Sequence, residues 1–387
     1  MPEAVIVAAG RSAIGRAFKG SLVDWRPDEL GAHVVTEVLK KVPELDPATI
    51  DDLICGCGLP GGEQGFNMGR VISILARIPV AGTTITRYCS SSLQTSRMAF
   101  HAIKAGEGDA FLSVGVETVS RFVNGSSDND ANQNPKLKPG NADGYPDIYI
   151  AMGLTAENVA EQEGISREEM DRYAKQSQDR AVAARDSGHF DAEIIPVPLA
   201  DGTLFTKDDG PRAGTTLEKL ASLAPVFRED GLVTAGNACP LNDGAAALVI
   251  LSDTRAKELG LTPLARIVST GLTQLEPELM GLGPIGASRQ ALENAGMTIE
   301  DVDVVEINEA FAAQVIPSAR HLGIDPFGEK LNPFGGAIAL GHPFGMTGAR
   351  ITTTLLNDLA TLDKSIGLET MCVGGGMGMA MIIERLT

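Results

Sequence analysis

Apolar runs and helically spaced apolar positions alternate along the first part of the chain. Residues 4–9 (Ala-Val-Ile-Val-Ala-Ala) are continuously apolar, as in a strand buried on both faces. From Pro27 to Lys41, Leu30, Val34, Val35, Val38 and Leu39 fall on one helical face. A strand over Asp51–Cys55, a helix over Asn67–Arg77 and an apolar run from Ile78 to Ile85 come next. Leu93, Met98, Ala99, Ala102 and Ile103 then mark a helix ending at Ala105, and Ala110–Val116 reads as another strand. Such alternation predicts an α/β layered core.

The pattern changes near Ser120. Residues 121–147 are rich in Asn, Asp, Gly, Ser and Pro, which predicts a long surface loop with a functional purpose. Helical stretches follow at Thr155–Gln162 and Ser166–Ser187, and residues 195–216 are again rich in turn formers. Regular structure resumes at Ala245–Leu251, so residues 121–241 read as an insertion. The remainder echoes the start. Ala265–Gly271 matches Ala4–Gly10 in pattern, and Ile299–Val305 matches Ile50–Ile54. The turn Gly341–Gly348 and a helix over Ala349–Leu359 stand where residue 89 and its helix stand, and Ser365–Ile383 takes the part of the strand at 110. A duplicated α/β fold follows. Its first half is 1–120 plus 242–262, its insertion 121–241 and its second half 263–387. The turns at residues 89 and 342 should then face one cleft.

A net charge of −18 argues against nucleic acid or an anionic membrane as partner, because both require a basic face. The cysteines, Cys55, Cys57, Cys89, Cys239 and Cys372, are odd in number and form no Cys-x-x-Cys pair. Neither a disulfide framework nor a zinc site is expected, and Cys55-Gly56-Cys57 reads as packing. Free thiols, an N-terminus without a basic leader and no unbroken membrane-length apolar run lead to a cytoplasmic expectation.

Candidate chemistry sits at turns. Cys89 lies between the apolar run and the helix, where a helix N-terminus stabilises a thiolate. Ser90, Ser91 and Ser92 offer capping hydroxyls. His342 is held between Gly341 and Pro343, as a fixed imidazole would be. Cys372 precedes Gly374, Gly375 and Gly376, whose backbone can come close to a ligand. Each also has a plain reading: a packed cysteine, a structural histidine, a glycine-rich strand. Asn308 could cap the next helix, and Glu309 could hold a neighbouring loop. His33, His101, His189 and His321 lie in helical or surface contexts and are assigned no chemistry.

In order along the whole chain, Cys89-Ser90-Ser91, Met152–Ala160, Thr234–Ala238, Asn242–Ala246, Gly281–Pro284, Asn308–Phe311, Gly341-His342-Pro343 and Cys372–Gly376 resemble the motifs of the thiolase family. The resemblance implies a duplicated five-layer αβαβα core with an inserted loop domain. It also implies cleavage of a 3-ketoacyl-CoA by CoA, or the reverse Claisen condensation. Cys89 would carry the acyl group, His342 would take its proton, and Cys372, with a thiol pKa of about 8–9, would act as second acid and base. His342 with a water held by Asn308 would make one oxyanion site, and the backbone N–H groups of Cys89 and Gly374 the other. Arg212 would meet the nucleotide end of CoA, while Met152, Phe227 and Phe311 would line the pantetheine and acyl path. CoA and acyl-CoA would be substrates, with no permanently bound cofactor or metal, and the assembly a homodimer or homotetramer.

Three departures from the family pattern stand out. Cys239-Pro240 replaces a Ser-Gly whose hydroxyl helps hold pantetheine. Ser92 replaces a glycine. Ala151 stands where short-chain acetoacetyl-CoA enzymes carry His, which favours a degradative enzyme with a less restricted acyl pocket. The alternatives are a biosynthetic acetoacetyl-CoA thiolase, a relative of the ketoacyl-ACP synthases, and a non-catalytic CoA- or lipid-binding protein of the same fold.

Overall fold

A computed structural model describes residues 2–122 and 130–387; residues 123–129, part of the loop expected over 121–147, lie outside the described residues. The first half contains strands β1 (Ala4–Ser12), β2 (Asp52–Gly56), β3 (Gly82–Ile85), β4 (Ala110–Thr118) and β5 (Asn242–Ser252). Its helices are α1 (Pro27–Leu39), α2 (Met68–Leu75) and α3 (Ser91–Ala105). Between β4 and β5 the excursion carries α4 (Met152–Glu163) and α5 (Arg167–Ser187). The second half contains β6 (Ala265–Gln274), β7 (Val304–Ile307), β8 (Ile366–Val373) and β9 (Met377–Arg385), with helices α6 (Gly283–Ala295), α7 (Ala312–His321) and α8 (Thr347–Thr361).

The principal strands run in the order β7-β8-β9-β6-β1-β5-β4-β2-β3. The order is mirrored about the β6/β1 junction, where Val5 pairs with Arg266 and Ile6 with Ala265. Pairing direction is mirrored too: β2 runs parallel to β4 and β7 to β8, while β5 and β9 run antiparallel to their neighbours. The parallel β2–β3 pair has a counterpart in a single bridge from Val305 to Leu331. Even the bulge is duplicated. The β1–β5 register slips between Ile6 and Ala8, and the β6–β9 register between Ile267 and Ser269, so the extra residue is Val7 in one half and Val268 in the other.

Side-chain alternation on the strands builds the layers. On β4, Leu112, Val114 and Val116 face α1 and α2, packing with Leu30, Val34 and Ile72, whereas Phe111 faces inward. The inner layer is α3 and α8. Leu93 and Ile103 of α3, with Ile351 and Leu355 of α8, pack against Ile6 and Ile250 of one half and Met371 and Met381 of the other. Ala287 of α6 and Val315 of α7 cover the far face of the second half over Leu368 and Ile382. The two inner helices meet at Gly348, where any Cβ would strike the backbone of Leu93.

Two expectations are corrected. Ser365–Ile383 is not one strand but the hairpin β8–β9; the apolar run is continuous, yet Gly375 and Gly376 adopt φ of +81° and +80° and reverse the chain. Of the run Ile78–Ile85 only Gly82–Ile85 is strand, since Arg77 takes φ +58° and Ile78 donates its N–H to Ser73 O, closing the end of α2.

Candidate active site

Cys89 sits in a single 3₁₀ turn, Tyr88–Ser90, between β3 and α3. Tyr88 holds φ at +44°, a left-handed conformation costly for a side-chain-bearing residue. The serines do not cap α3. Ser91 Oγ accepts from Arg87 N (2.9 Å) and donates to Tyr88 O (2.7 Å), tying the turn back on itself. Ser92 Oγ accepts from Ala349 N (2.9 Å) and caps the first turn of α8 instead. The hydroxyl that departs from the family pattern is therefore spent between the two inner helices. Burial pushes the Cys89 thiol up to about 11, opposed by the N–H of Gly374 and by its own N–H, both aimed at the sulfur. The expectation of a stabilised resting thiolate is corrected: desolvation outweighs the turn's donors.

His342 is buried and held on every side. Its N–H donates to Asn242 Oδ1 (3.0 Å), and its ring stands edge-on to Phe344 at 5.1 Å. Nδ1 lies 2.6 Å from Thr347 Oγ1, whose own hydrogen goes to Pro343 O (2.8 Å). Thr347 can therefore only accept from the imidazole, so Nδ1 carries the proton and Nε2 presents its lone pair. Asn308 Nδ2 donates to that Nε2 at 3.3 Å. Burial, with the nearby Arg350 charge, lowers the His342 pKa to about 3, so the ring is neutral at rest.

Of the two readings of Asn308, a helix cap or a partner of His342, the cap is not formed: Phe311 occupies the N-cap position and the Asn308 side chain turns to His342. Its Oδ1 is buried without a partner among the described residues. Glu309 braces the chain leading into the His342 turn: Oε2 accepts from Ile338 N (3.1 Å) and Ser177 Oγ (2.6 Å), Oε1 from Asn332 Nδ2 (2.9 Å) and Tyr173 OH (3.0 Å). On the other flank Glu117 Oε2 accepts from Gly345 N and Gly58 N, both at 2.7 Å.

Cys372 lies at the end of β8, its Sγ 3.4 Å from Gln314 Oε1 on α7. Burial raises its pKa well above the ordinary thiol range, and the Cys89 and Cys239 sulfurs add to the rise. The expected 8–9 is thus corrected upward. Cys239 is half-buried, with its pKa raised to about 12 by burial and the Cys89 charge.

Two concavities approach these sulfurs. One, of about 390 Å³, is lined by Cys89, Met152, Phe344 and Gly374 among others. The second, about 270 Å³, is lined by Arg16, Arg212, Lys219, Leu223, Ala238 and Pro240. Cys239 lies in the chain between two of that second set. Phe227 meets the buried Phe311 edge-on at 6.1 Å and packs over Gly153. Among the described residues no group of three or more His, Cys, Asp or Glu could hold a metal ion.

Comparison with known proteins decides the family. The thiolase N-terminal domain model matches residues 4–254 and the thiolase C-terminal domain model residues 261–385. The chain belongs to the thiolase family.

Among its relatives, a 3-ketoacyl-CoA thiolase of Bacillus subtilis is 42% identical, covering 99% of this chain and 100% of the relative. A 3-oxoadipyl-CoA/3-oxo-5,6-dehydrosuberyl-CoA thiolase of Escherichia coli is 44% identical, with both chains fully covered. The crystal structure of human mitochondrial 3-ketoacyl-CoA thiolase in complex with CoA superposes with a TM-score of 0.90 at 35% identity, covering 100% of this chain and 98% of that one. As a thiolase the chain is an acyltransferase.

Several residues of this thiolase site escaped the reading of the sequence. Gln314 lies in the first turn of α7 and gives no local signal. Thr347 and Glu117 are ordinary polar residues until the turn folds over them. Arg16 comes from a two-residue strand (Gly15–Arg16) far away in sequence.

Proposed function

We propose that the chain catalyses thiolysis of 3-ketoacyl-CoA, with CoA as second substrate, and the reverse condensation. Cys89 attacks the C3 carbonyl as its proton passes to Nε2 of His342. With a thiol near 11 and an imidazole near 3, that transfer accompanies attack and does not precede it. The C2–C3 bond breaks, the acyl group stays on Cys89 as a thioester, and the Cys372 thiol gives its proton to C2 of the acetyl-CoA enolate. Entering CoA returns a proton to the Cys372 thiolate and attacks the thioester. Cys89 leaves and takes back the proton held by His342.

Carbonyl oxygens would develop charge in two places. The N–H groups of Cys89 and Gly374 serve one. His342 Nε2–H serves the other, with Asn308, whose unpartnered Oδ1 can hold a water. The CoA phosphates belong with Arg212, Arg16 and Lys219: among the described residues neither arginine side chain has an acidic partner, and burial together with Arg16 lowers the Arg212 pKa. Phe311, Phe227 and Cys239 would flank pantetheine, with Cys239 a weaker donor than a serine. Met152 belongs to the acyl side. A homodimer or homotetramer and a cytoplasmic location complete the reading; among the described residues no helix is long and apolar enough to cross a membrane.

The observation that carries the reading is that Cys89 and Gly374 line one concavity, so the glycine turn after Cys372 in the second half lies beside the nucleophile of the first. The test is thiolysis of 3-oxooctanoyl-CoA followed by hexanoyl-CoA formation. A Cys89→Ser variant is expected to lose at least about 10⁴-fold in kcat. Retained turnover would remove Cys89 from the reaction.

A further inference from the structure

We infer that the acyl group accepted beside Cys89 is uncharged and apolar, of medium length, and that a 3-ketoacyl-CoA carrying a terminal carboxylate is excluded. This rests on the thiolase reading above and specifies its substrate. The relatives do not choose: 3-ketoacyl-CoA and 3-oxoadipyl-CoA thiolases are 42% and 44% identical to the chain. Those two substrates differ at the far end of the acyl chain, one apolar and one anionic.

The wall of the 390 Å³ cavity supplies the discrimination. Leu59, Ile148, Ile150, Met152 and Phe344 supply its large apolar side chains, and among the described residues no Lys, Arg or His side chain belongs to it. Cations nearby are engaged elsewhere. Lys138 pairs with Asp130 (3.0 Å) and Lys136 lies 3.9 Å from Asp143, both on the surface loop. Arg87, next to Tyr88 of the wall, donates to Gln94 Oε1 (3.0 Å) and Met377 Sδ (3.7 Å). Residues 123–129 (Val-Asn-Gly-Ser-Ser-Asp-Asn) include no basic residue. The polar groups of the wall, Gln133 and the two tyrosines Tyr88 and Tyr149, are neutral.

A carboxylate moved from water to this wall would lose its hydration and meet no counter-charge. The CoA end is built the opposite way, with Arg16, Arg212 and Lys219 around one concavity. Positive charge is thus provided where the cofactor-like half of the substrate is anionic and withheld where the acyl chain ends. At about 30 Å³ per heavy atom, the share of one water in the liquid, the cavity holds about a dozen atoms, enough for an eight- to ten-carbon acyl chain. Ala151, a small residue in the wall, leaves that volume open.

The experiment compares kcat/KM for thiolysis of acetoacetyl-CoA, 3-oxooctanoyl-CoA and 3-oxoadipyl-CoA, with the wild type and an Ile148→Arg variant. Ile148 is partly exposed at 36%, so an arginine can be accommodated without entering the core. The wild type is expected to favour 3-oxooctanoyl-CoA over 3-oxoadipyl-CoA by about 100-fold or more. Ile148→Arg is expected to narrow that ratio at least about tenfold, by raising the 3-oxoadipyl-CoA value. Comparable wild-type values for the two, or an unchanged ratio in the variant, would overturn the inference and leave the thiolase reading intact. Failure to cleave any of the three would remove the thiolase reading and this inference with it.

Discussion

The two halves of the chain share a strand order and part company at one connection. In the second half β8 turns directly into β9 through Gly374, Gly375 and Gly376; in the first, β4 reaches β5 only after residues 119–241. The short connection brings Gly374 and Gly375 to the cavity that Cys89 lines. The long one supplies walls: α4 with Met152, the Arg212 loop, and α5, whose Tyr173 and Ser177 hold Glu309. Register makes the comparison specific. Leu112 of β4 pairs with Leu53, and Leu368 of β8 with Val305; four residues further on stand Val116 and Cys372. Three residues beyond Leu53 and Val305 stand Gly56 and Asn308. One copy thus keeps inert residues where the other places an acid/base candidate and the partner of His342. Duplication supplied two equivalent sites, and divergence left different reactive groups in each.

The sharpest way to break this comparison is to make the second half like the first. Cys372→Val should fold, since valine occupies the equivalent position, and should lose about 10²–10⁴-fold in condensation rate. Normal condensation would leave the two strands functionally indistinguishable.

A pH experiment addresses the neutral imidazole. An unfolded-chain histidine titrates near 6.5 and His342 at about 3. Between those values the unfolded chain binds a proton that the folded chain refuses, so folding stability falls as pH drops through that window and is unaffected above it. The slope due to this residue should approach about 1.4 kcal/mol per pH unit. Urea unfolding of the wild type and of His342→Asn between pH 7 and 4 measures it, and equal slopes would contradict the assignment.

The two carboxylates flanking the His342 turn, Glu117 from the first half and Glu309 from the second, form a second matched pair. Replacing either by Gln sets an N–H₂ against backbone and side-chain donors and should cost about 3 kcal/mol of stability, seen as a lower urea midpoint. If only one variant loses stability, the turn is braced from one side alone. The smallest expected effect is that of Thr347→Val, which removes the acceptor fixing Nδ1–H. It should lower kcat about tenfold, near 1.4 kcal/mol, with KM nearly unchanged.

Much of this was legible in order and spacing. The apolar runs placed β1, β2, β4 and β5, and the echo of Ala4–Gly10 in Ala265–Gly271 extends to the bulge at Val7 and Val268. Cys89, His342 and Cys372 stood out because turns and glycines expose chemistry locally. The hairpin β8–β9 was hidden because hydrophobicity continues through a turn defined only by φ at Gly375 and Gly376. Electrostatics were hidden more deeply. A helix N-terminus is visible in a sequence, but the burial that raises Cys89 and Cys372 depends on walls from the other half. Gln314 gains meaning once α7 packs beside β8, Thr347 once the His342 turn closes, and Glu117 only once the halves meet.

The most direct test is the intact mass of a Cys372→Ala variant mixed with octanoyl-CoA, read alongside its condensation with acetyl-CoA. An octanoyl adduct on Cys89 with no 3-oxodecanoyl-CoA product is the expected result, because CoA can leave as its thiolate without a proton from residue 372, whereas C2 of acetyl-CoA cannot become a nucleophile without a base. Condensation at the wild-type rate, or an adduct located elsewhere than Cys89, would contradict two sulfurs working in turn on one acyl group.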